Sequence, residues 1–155
     1  MTDCVFCSIV KGEAPAHVIW EDESHMAFLS IFPNTPGFTV VITKDHNPSY
    51  AFENSDEVLT GLTLATKKVA LLLDKAFEDT GRTGMFFEGF GVDHLHSKLF
   101  PMHGTSNMDE WKPIESSRSD FYTQYPGYLS SHDSDRADDG ELAALAEKIR
   151  QVNLN

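Results

Sequence analysis

The chain contains 155 residues, of which 41% are hydrophobic, with 10 Gly and 7 Pro. This length fits one globular domain with a modest core better than two domains. The formal net charge is −12, from 24 acidic and 12 basic residues. An acidic surface repels polyphosphate backbones, so a general nucleic-acid or anionic-membrane binder is disfavoured. A small phosphorylated ligand is compatible with this charge, because a local pocket can be cationic inside an acidic protein.

No apolar run reaches the roughly 18 residues of a membrane-spanning helix. Residues 1–6 lack the basic start and apolar core of a secretory signal, so we expect a cytoplasmic protein with no membrane partner. Cys4 and Cys7 are the two cysteines of the chain. In a reducing compartment their spacing favours a metal half-site or a redox pair over a structural disulfide.

Three short β-branched and aromatic stretches, at residues 17–20, 25–29 and 38–42, predict three strands. Turn-forming residues separate them, at 21–24 and at 33–37. The prolines of the second break cannot occupy a central strand. We therefore expect the neighbouring strands to run antiparallel.

From Asn54 onward the apolar residues recur at helical spacing, which predicts one long amphipathic helix over about residues 55–79. Asn54 is the expected N-cap, and Glu57 three residues later completes a capping-box pattern. Gly81 and Gly84 are expected to end this helix.

Two further strands are predicted at residues 85–88 and 94–100, joined by a tight connection at 89–91. A sheet of about five strands results. The segment from 103 to 139 has no sustained period and is expected to wrap the core as an extended tail. A terminal helix is predicted at residues 141–152.

The stretch around His94 is the most informative, because a strand turns alternate residues to the same side. His94, His96 and Lys98 would share one face at a repeat of about 6.5 Å, twice the strand rise. Leu95 and Leu99 would face the core. Three cation-capable groups in a row suit an anion such as a phosphate, although paired histidines also occur without any chemical role. Spacing alone therefore indicates an anion or metal site.

Five segments of the chain share an order and a set of intervals with a known family. They are CVFCSIVKGEAP at 4–15, WEDE at 20–23, FLSIFP at 28–33, VITKDH at 41–46 and HLH at 94–96. Together they resemble the histidine triad family over about residues 4–104. The resemblance implies an α+β fold, in which an antiparallel sheet of about five strands packs with one long helix. It also implies a homodimer that binds nucleotides and hydrolyses or transfers them at the α-phosphate.

Two regions follow from this resemblance. Residues 1–104 are expected to form the histidine triad domain, and residues 105–155 a C-terminal tail that packs on or near the core. The tail is not covered by the family's common core.

The family's chemistry depends on the middle histidine of a His-x-His-x-His motif, which maps to His96. The resemblance implies that its neutral imidazole attacks phosphorus and that water then hydrolyses the nucleotidyl-histidine, so one difficult displacement is divided into two. A neutral histidine needs no metal for this step. His94 would orient the site, and Lys98 with backbone N–H groups would stabilise the developing charge.

The sequence departs from the family pattern in several places. Lys98 replaces the third histidine, and lysine holds a phosphate as a point charge but matches proton donation at neutral pH poorly. Ser30 stands where an aspartate often holds the ribose, beside Ile31 as a further substrate-binding candidate. Phe38 stands where a histidine is common, and the 89–91 loop is short. These departures favour the alternative function, a catalytically weak nucleotide-binding or zinc-stabilised regulatory module.

The resemblance also gives Cys4 and Cys7 a metal role. In zinc-carrying members such a pair joins two histidines, which here would be His46 and His94. Two thiolates and two imidazoles make a closed tetrahedral site of the structural type. The alternative is a pair of reduced thiols without a metal, and a thioredoxin-like redox role is disfavoured by the absence of that fold's strand-to-helix context.

Overall fold

The computed structural model describes residues 4–106, 111, 123–126 and 136–152. These contain three helices and five strands in the described ranges. They are α1 Val5–Val10, β1 His17–Glu21, β2 His25–Leu29, β3 Thr39–Thr43, α2 Asp56–Ala76, β4 Thr80–Phe86, β5 His96–His103 and α3 Asp139–Val152. A short 3-10 turn, Ala51–Glu53, precedes α2.

The five strands form one sheet in the order β1-β2-β3-β5-β4, and each neighbouring pair is antiparallel. The predicted α+β fold, an antiparallel sheet of about five strands packed with one long helix, is confirmed. The pairing of β3 with β5 sets Ile42 opposite His96 and Val40 opposite Lys98. The histidine-bearing strand therefore lies inside the sheet, where both of its neighbours fix its position.

Both faces of the sheet are covered. Ala27, Leu29 and Val41 contribute to the larger core, which α2 and α3 close from one side. Their alternate neighbours form a second cluster, which α1 covers through partly buried apolar side chains; its buried members are Met26, Phe28, Val40 and Ile42. Because successive side chains of a strand point to opposite faces, α1 and α2 lie on opposite sides of the sheet. Every residue of β3 is buried as a result.

The long helix is present, but its predicted ends are wrong. Its N-cap is Ser55, whose hydroxyl accepts the Val58 N–H at 3.3 Å. The Asn54 amide instead donates to the carbonyls of Pro48 and Tyr50, so it closes the preceding turn. A serine oxygen directly before the first helical residue reaches the free N–H groups, whereas Asn54 is one position too early.

The helix ends at Ala76, and neither predicted glycine takes part. Phe77 follows in an extended conformation, with its ring side chain buried. Gly81 and Gly84 lie within β4, which begins at Thr80 rather than at the predicted residue 85. Gly84 pairs with Phe100 of β5, and Gly81 lies at the irregularity between Thr80 and Thr83, where its N–H donates to the Thr105 hydroxyl. These contacts override the low strand preference of glycine.

Helix α3 begins two residues before its predicted start and packs on α2 and β1. Its buried side chains are Leu142, Ala146 and Ile149. Just before it, the Ala137 N–H donates to the Ile31 carbonyl at 2.9 Å. Most of the segment expected as an extended tail lies outside the described residues. In the part of the chain that is described, no helix has the length and apolar character needed to cross a membrane.

Gly37 connects β2 to β3 through a left-handed backbone conformation, with φ +83°. A Cβ atom at this position would lie 2.5 Å from the ring of Phe77. The loop is thus packed directly against the end of α2, at a distance that only glycine permits.

Candidate active site and metal cluster

The four predicted metal ligands converge beside the start of β5. The Cys4 and Cys7 sulfurs lie 3.4 Å and 3.6 Å from His94 Nδ1. The Cys7 sulfur also lies 3.4 Å from His46 Nδ1. All four ligand atoms are within 4.8 Å of one another. Helix α1 and the loop after β3 supply three of these groups, so the cluster joins the N-terminal segment to the sheet.

The His94 ring is held in a single orientation. Its Nε2 donates to the Thr43 carbonyl at 2.7 Å, and a carbonyl can only accept, so Nδ1 carries the lone pair. Burial lowers the pKa of His94 below its ordinary value, and the hydrogen bond to Thr43 offsets this only in part. The neutral ring therefore directs an unprotonated nitrogen at the thiols of Cys4 and Cys7.

Three of the six separations between the ligand atoms fit the edges of a tetrahedral site. Zinc binds sulfur at about 2.3 Å and imidazole nitrogen at about 2.0–2.1 Å, so the edges of its tetrahedron measure roughly 3.3–3.8 Å. The sulfur-to-nitrogen separations of 3.4 Å and 3.6 Å fall in this range. Two thiols and two imidazoles are also ligands that zinc prefers. The Thr43 carbonyl accepts the other ring N–H of His94 and so orients this ligand, as metal-binding histidines require.

Two residues further on, His96 lies on the wall of a cavity of about 380 Å³, which is within the range of small-molecule sites. The wall is mostly apolar. Its members include Phe6, Ile9, Phe28, Ser30, Ile31, Phe38, Val40, Phe90, Val92, His96 and Lys98. His94 is not among them, since its side chain points to the metal cluster. His96 is only 3% exposed, so little of its surface is open to the cavity.

The His96 ring has the opposite tautomer to that of His94. Its Nδ1 donates to the His94 carbonyl at 2.6 Å, which leaves the lone pair on Nε2. In the described ranges, no residue makes a hydrogen bond to that Nε2. Burial lowers the pKa of His96, although the bond to His94 opposes this, so the ring is neutral at pH 7. The Phe6 ring packs edge-on against it, with 5.5 Å between centroids.

Lys98 lies on the same cavity wall and is joined to an acidic residue that sequence reasoning missed. Its Nζ is 2.5 Å from Glu88 Oε1, and the two side chains are only 13% and 15% exposed. The Tyr125 hydroxyl donates to the other carboxylate oxygen of Glu88 at 3.0 Å. The Tyr125 ring also stacks on Phe90, with 5.9 Å between centroids.

Ser30 and Ile31 both line the cavity. The Ser30 hydroxyl accepts the Phe32 N–H at 3.1 Å, so its own O–H is available to donate. Phe38, where the family pattern has a histidine, forms part of the same wall and its carbonyl accepts the Ser30 N–H at 2.9 Å. A second cavity of similar volume shares Ser30 and Phe38 but contains neither His96 nor Lys98.

His103, at the far end of β5, does not line either cavity. Its Nδ1 lies 3.0 Å from an Asp79 carboxylate oxygen and its Nε2 lies 2.9 Å from the Pro36 carbonyl. Both partners are acceptors, so both ring nitrogens donate when the two bonds are made. Partial burial alone lowers the pKa of His103, but Pro36 and Asp79 outweigh it and the pKa is raised.

The geometry defines the class of the protein. It is an α+β protein in which one histidine begins an internal strand and lines a cavity, while a second histidine two residues before it faces a thiol cluster. A family model described as the HIT domain matches residues 11–105, and the chain belongs to this family.

Relatives of the chain agree with this assignment. The chain is similar to Protein hit of Bacillus subtilis, with 31% identity over 124 residues, 72% of this chain and 85% of the relative. It is also similar to the adenosine 5'-monophosphoramidase hnt1 of Schizosaccharomyces pombe, with 33% identity over 102 residues. The match covers 63% of this chain and 73% of the relative. A zinc-bound histidine triad family protein of Mycobacterium smegmatis shares the fold, with TM-score 0.67 and 22% identity over 97% of this chain and 92% of the other.

Proposed function

We propose that the chain is a nucleotide hydrolase or nucleotidyl transferase that acts at an α-phosphate through a covalent nucleotidyl-histidine at His96. The observation that carries the proposal is the His96 ring, which lines the cavity, is neutral, and is fixed by its Nδ1–H bond to the His94 carbonyl, so that its lone pair is on Nε2. The similarity to a phosphoramidase supports the same chemistry.

In the first step the Nε2 lone pair forms a bond to phosphorus, and the bond from phosphorus to the leaving group breaks with its electron pair. The imidazole becomes cationic, and its Nδ1–H bond to the His94 carbonyl stabilises that charge. Water then attacks the phosphorus, releases the nucleotide and returns the ring to its neutral form. Covalent catalysis of this kind replaces one difficult displacement with two easier ones.

Lys98 takes the third position of a His-x-His-x-Lys variant of the family motif. Its ammonium lies on the cavity wall next to His96, where it can bind a phosphoryl oxygen as charge develops. Ser30 and Ile31 are proposed to contact the nucleoside, the former by donating its hydroxyl proton and the latter by apolar contact. The composition of the wall suits apolar contact with a nucleoside, since most of its side chains are apolar.

We propose that Cys4, Cys7, His46 and His94 hold a structural zinc ion. The fit of the sulfur-to-nitrogen distances supports this, and the zinc-bound relative of the same fold agrees with it. A bound zinc would supply a cross-link between α1 and β5. It would not take part in the reaction, because its four ligand positions are filled by the protein. Two thiolate ligands also suit the reducing environment of the cytoplasm, which is the compartment we propose.

We further propose a homodimer. Strand β4 is an edge of the sheet, and a bare edge pairs readily with a second copy. Three large apolar side chains, Met85 on β4 and Leu64 and Leu71 on α2, are about half exposed. Sedimentation equilibrium at micromolar concentration should give twice the chain mass, and a monomer at all concentrations would contradict the proposal.

A second candidate function rests on the pairing of Lys98 with Glu88. An ammonium held by a carboxylate binds phosphate without donating a proton freely, which suits a nucleotide-binding regulatory module with little turnover. The two functions differ in whether AMP is released.

The test is to incubate the protein with adenosine 5'-phosphoramidate and with diadenosine polyphosphates, alongside His96→Ala. We expect AMP release by the parent only, and a covalent AMP adduct on the peptide that contains His96 after acid-free quenching. Equal AMP release by the parent and by His96→Ala would show that His96 is not the nucleophile. Nucleotide binding without release by the parent would favour the regulatory module.

A further inference from the structure

Two loops of the chain carry aromatic side chains that are more than half exposed. Tyr50 and Phe52 lie in the segment before α2, and their rings meet edge-on with 5.4 Å between centroids. Phe90 lies in the loop between β4 and β5, where the exposed Tyr125 ring stacks on it. Single exposed apolar residues are common on proteins, whereas grouped ones mark interaction sites. We refer to these four residues as the aromatic surface.

Direct contacts hold together the two loops that carry the aromatic surface. The Ser49 hydroxyl donates to the Gly89 carbonyl at 3.1 Å, and the Ser49 N–H donates to an Asp93 carboxylate oxygen at 3.1 Å. Gly89 has φ +72°, and a Cβ atom there would lie 3.4 Å from the Tyr50 Cα. Tyr50 and Phe90 are therefore neighbours in space, since Tyr50 contacts Gly89 and Phe90 directly follows it.

The same two segments of the chain are acidic. Residues 45–66 contain four Asp or Glu and residues 83–97 contain two, and neither range contains Lys or Arg. Glu53 directly follows Phe52, is exposed, and forms no ion pair with any residue that the structure describes. The aromatic surface therefore belongs to a part of the chain whose charged side chains are negative.

This combination disfavours two common uses of exposed aromatic residues. Single-stranded nucleic acids stack on aromatic rings, but they also need a cationic groove for their phosphates. An anionic lipid surface is repelled by the same carboxylates. A cation is attracted instead, both by the carboxylates and by the negative face of each ring. Arginine suits such a surface better than lysine, because its planar guanidinium stacks on rings and binds a carboxylate through two parallel hydrogen bonds.

We propose that the aromatic surface, together with Glu53, is a docking site for an arginine-bearing segment of another protein. The inference goes beyond the proposed function, because it requires neither His96 nor a bound nucleotide or zinc ion. The aromatic rings supply contact area and cation–π attraction, and the carboxylates select the charge of the partner. Phe90 also lines the ligand cavity, so the docked segment contacts a residue of the cavity wall.

The experiment measures the fluorescence anisotropy of three labelled octapeptides, in which glycine alternates with arginine, lysine or glutamate. Each is titrated with the full chain at low ionic strength, where exposed charges are weakly screened. We expect the parent to bind the arginine peptide at least about 3-fold more tightly than the lysine peptide, and not to bind the glutamate peptide. The double variant Tyr50→Ala/Phe52→Ala should raise the Kd of the arginine peptide by about 5–10-fold, because it loses two rings without any change in charge.

Two matched controls separate this site from the general negative charge of the protein. Leu71→Ala truncates an exposed apolar side chain on α2 and should leave the Kd of the arginine peptide unchanged. Glu53→Gln should raise that Kd by about 3-fold. Glu78→Gln removes an exposed carboxylate beyond the other end of the 21-residue helix α2, about 30 Å away, and should change it by less than about 1.5-fold.

Several results would overturn the docking site. If the double variant binds the arginine peptide as tightly as the parent, or if the parent binds none of the peptides, the aromatic surface is not the site. Equal affinity for the arginine and lysine peptides would overturn the assignment of an arginine-bearing partner. Sedimentation equilibrium of the double variant should give the mass of the parent, and a smaller mass would show that the surface joins two copies of the chain instead. None of these readouts depends on AMP release, so they leave the proposed function untouched.

Discussion

His94 and His96 are two residues apart, both are buried and neutral, and each donates one ring proton to a backbone carbonyl. They differ in which nitrogen does so. His94 donates from Nε2 to Thr43, so its lone pair on Nδ1 points at the thiols. His96 donates from Nδ1 to the His94 carbonyl, so its lone pair is on Nε2, and the residue lines the cavity.

The comparison shows how a backbone acceptor selects the chemistry of a histidine. The residue type, the burial and the direction of the pKa shift are the same for both rings, so none of these separates a metal ligand from a nucleophile. The position of the backbone carbonyl that accepts the ring N–H separates the two roles, because it fixes the tautomer. The two sites are also joined, since the carbonyl that orients His96 belongs to His94.

The largest effect should come from removing the cavity-side ring. His96→Ala should lower kcat for AMP release by at least about 10³-fold, because a covalent nucleophile has no substitute among its neighbours. Its zinc content should equal that of the parent. His103→Gln is the matched control on the same strand and should hydrolyse at the parent's rate. Loss of zinc together with activity in His96→Ala would show that the two sites are not separable.

Removing the metal should affect stability more than chemistry. Elemental analysis of protein purified without chelator should give about one zinc per chain, and His46→Asn or Cys7→Ser should lose it. We expect Tm to fall by about 5–10 °C, which corresponds to roughly 2–3 kcal/mol for a chain of this size. His25→Asn, which changes a histidine outside the cluster, should keep its metal. A metal content far below one per chain in the parent protein would show that the four residues do not hold zinc.

Phe6 offers a way to disturb both sites at once. Its ring contacts those of His94 and His96 edge-on, with centroids at 5.7 Å and 5.5 Å. Phe6→Ala should cost about 2 kcal/mol, less than the roughly 3–5 kcal/mol of a fully buried phenylalanine, and should lower both turnover and zinc affinity. Phe52→Ala, which truncates a ring that is 78% exposed, is the control for thermal unfolding. An unchanged Tm in Phe6→Ala would mean that α1 is held by the metal ligands alone.

The smallest effect concerns His103, whose two nitrogens both face acceptors. Because its folded pKa is raised, it stabilises the fold fully below the unfolded value of about 6.5, and this contribution is lost as the pH rises through the higher folded pKa. The free energy of unfolding of His103→Gln, measured by urea denaturation, should therefore approach that of the parent as the pH increases from 5 to 9. A constant difference between the two proteins across this range would contradict the assignment of a cationic ring.

The sequence predicted most of the fold, since strand alternation and helical spacing are local signals. It failed where the outcome depends on pairing. Glycine is typical of a helix C-terminus, but Gly84 pairs with Phe100 of β5 and Gly81 donates its N–H to Thr105, so both residues lie in a strand. Helix α1 has only six residues and lacks a side-chain cap, so no periodicity or capping pattern in the sequence predicted it.

The convergence of the metal ligands followed from a family resemblance rather than from spacing, because residues 4 and 94 are joined only by the folded chain. Glu88 and Tyr125 were missed for the same reason. Glu88 is ten residues from Lys98 in the sequence, and Tyr125 is thirty-seven residues from Glu88. A search for an acidic residue near the strand beside a lysine-bearing strand could have suggested Glu88, which lies two residues after the end of β4. Tyr125 had no such signal.

The tight packing of Gly37 has a consequence for how the protein can vary. Any larger residue there must displace the Phe77 ring, which itself packs edge-on against His103 with 4.9 Å between centroids. The neighbouring Phe38 and Ser30 form a wall of the ligand cavity. A saturation library at position 37 should thus yield a single tolerated amino acid, so a residue outside the wall of this cavity constrains the position of Phe38, which is part of the wall.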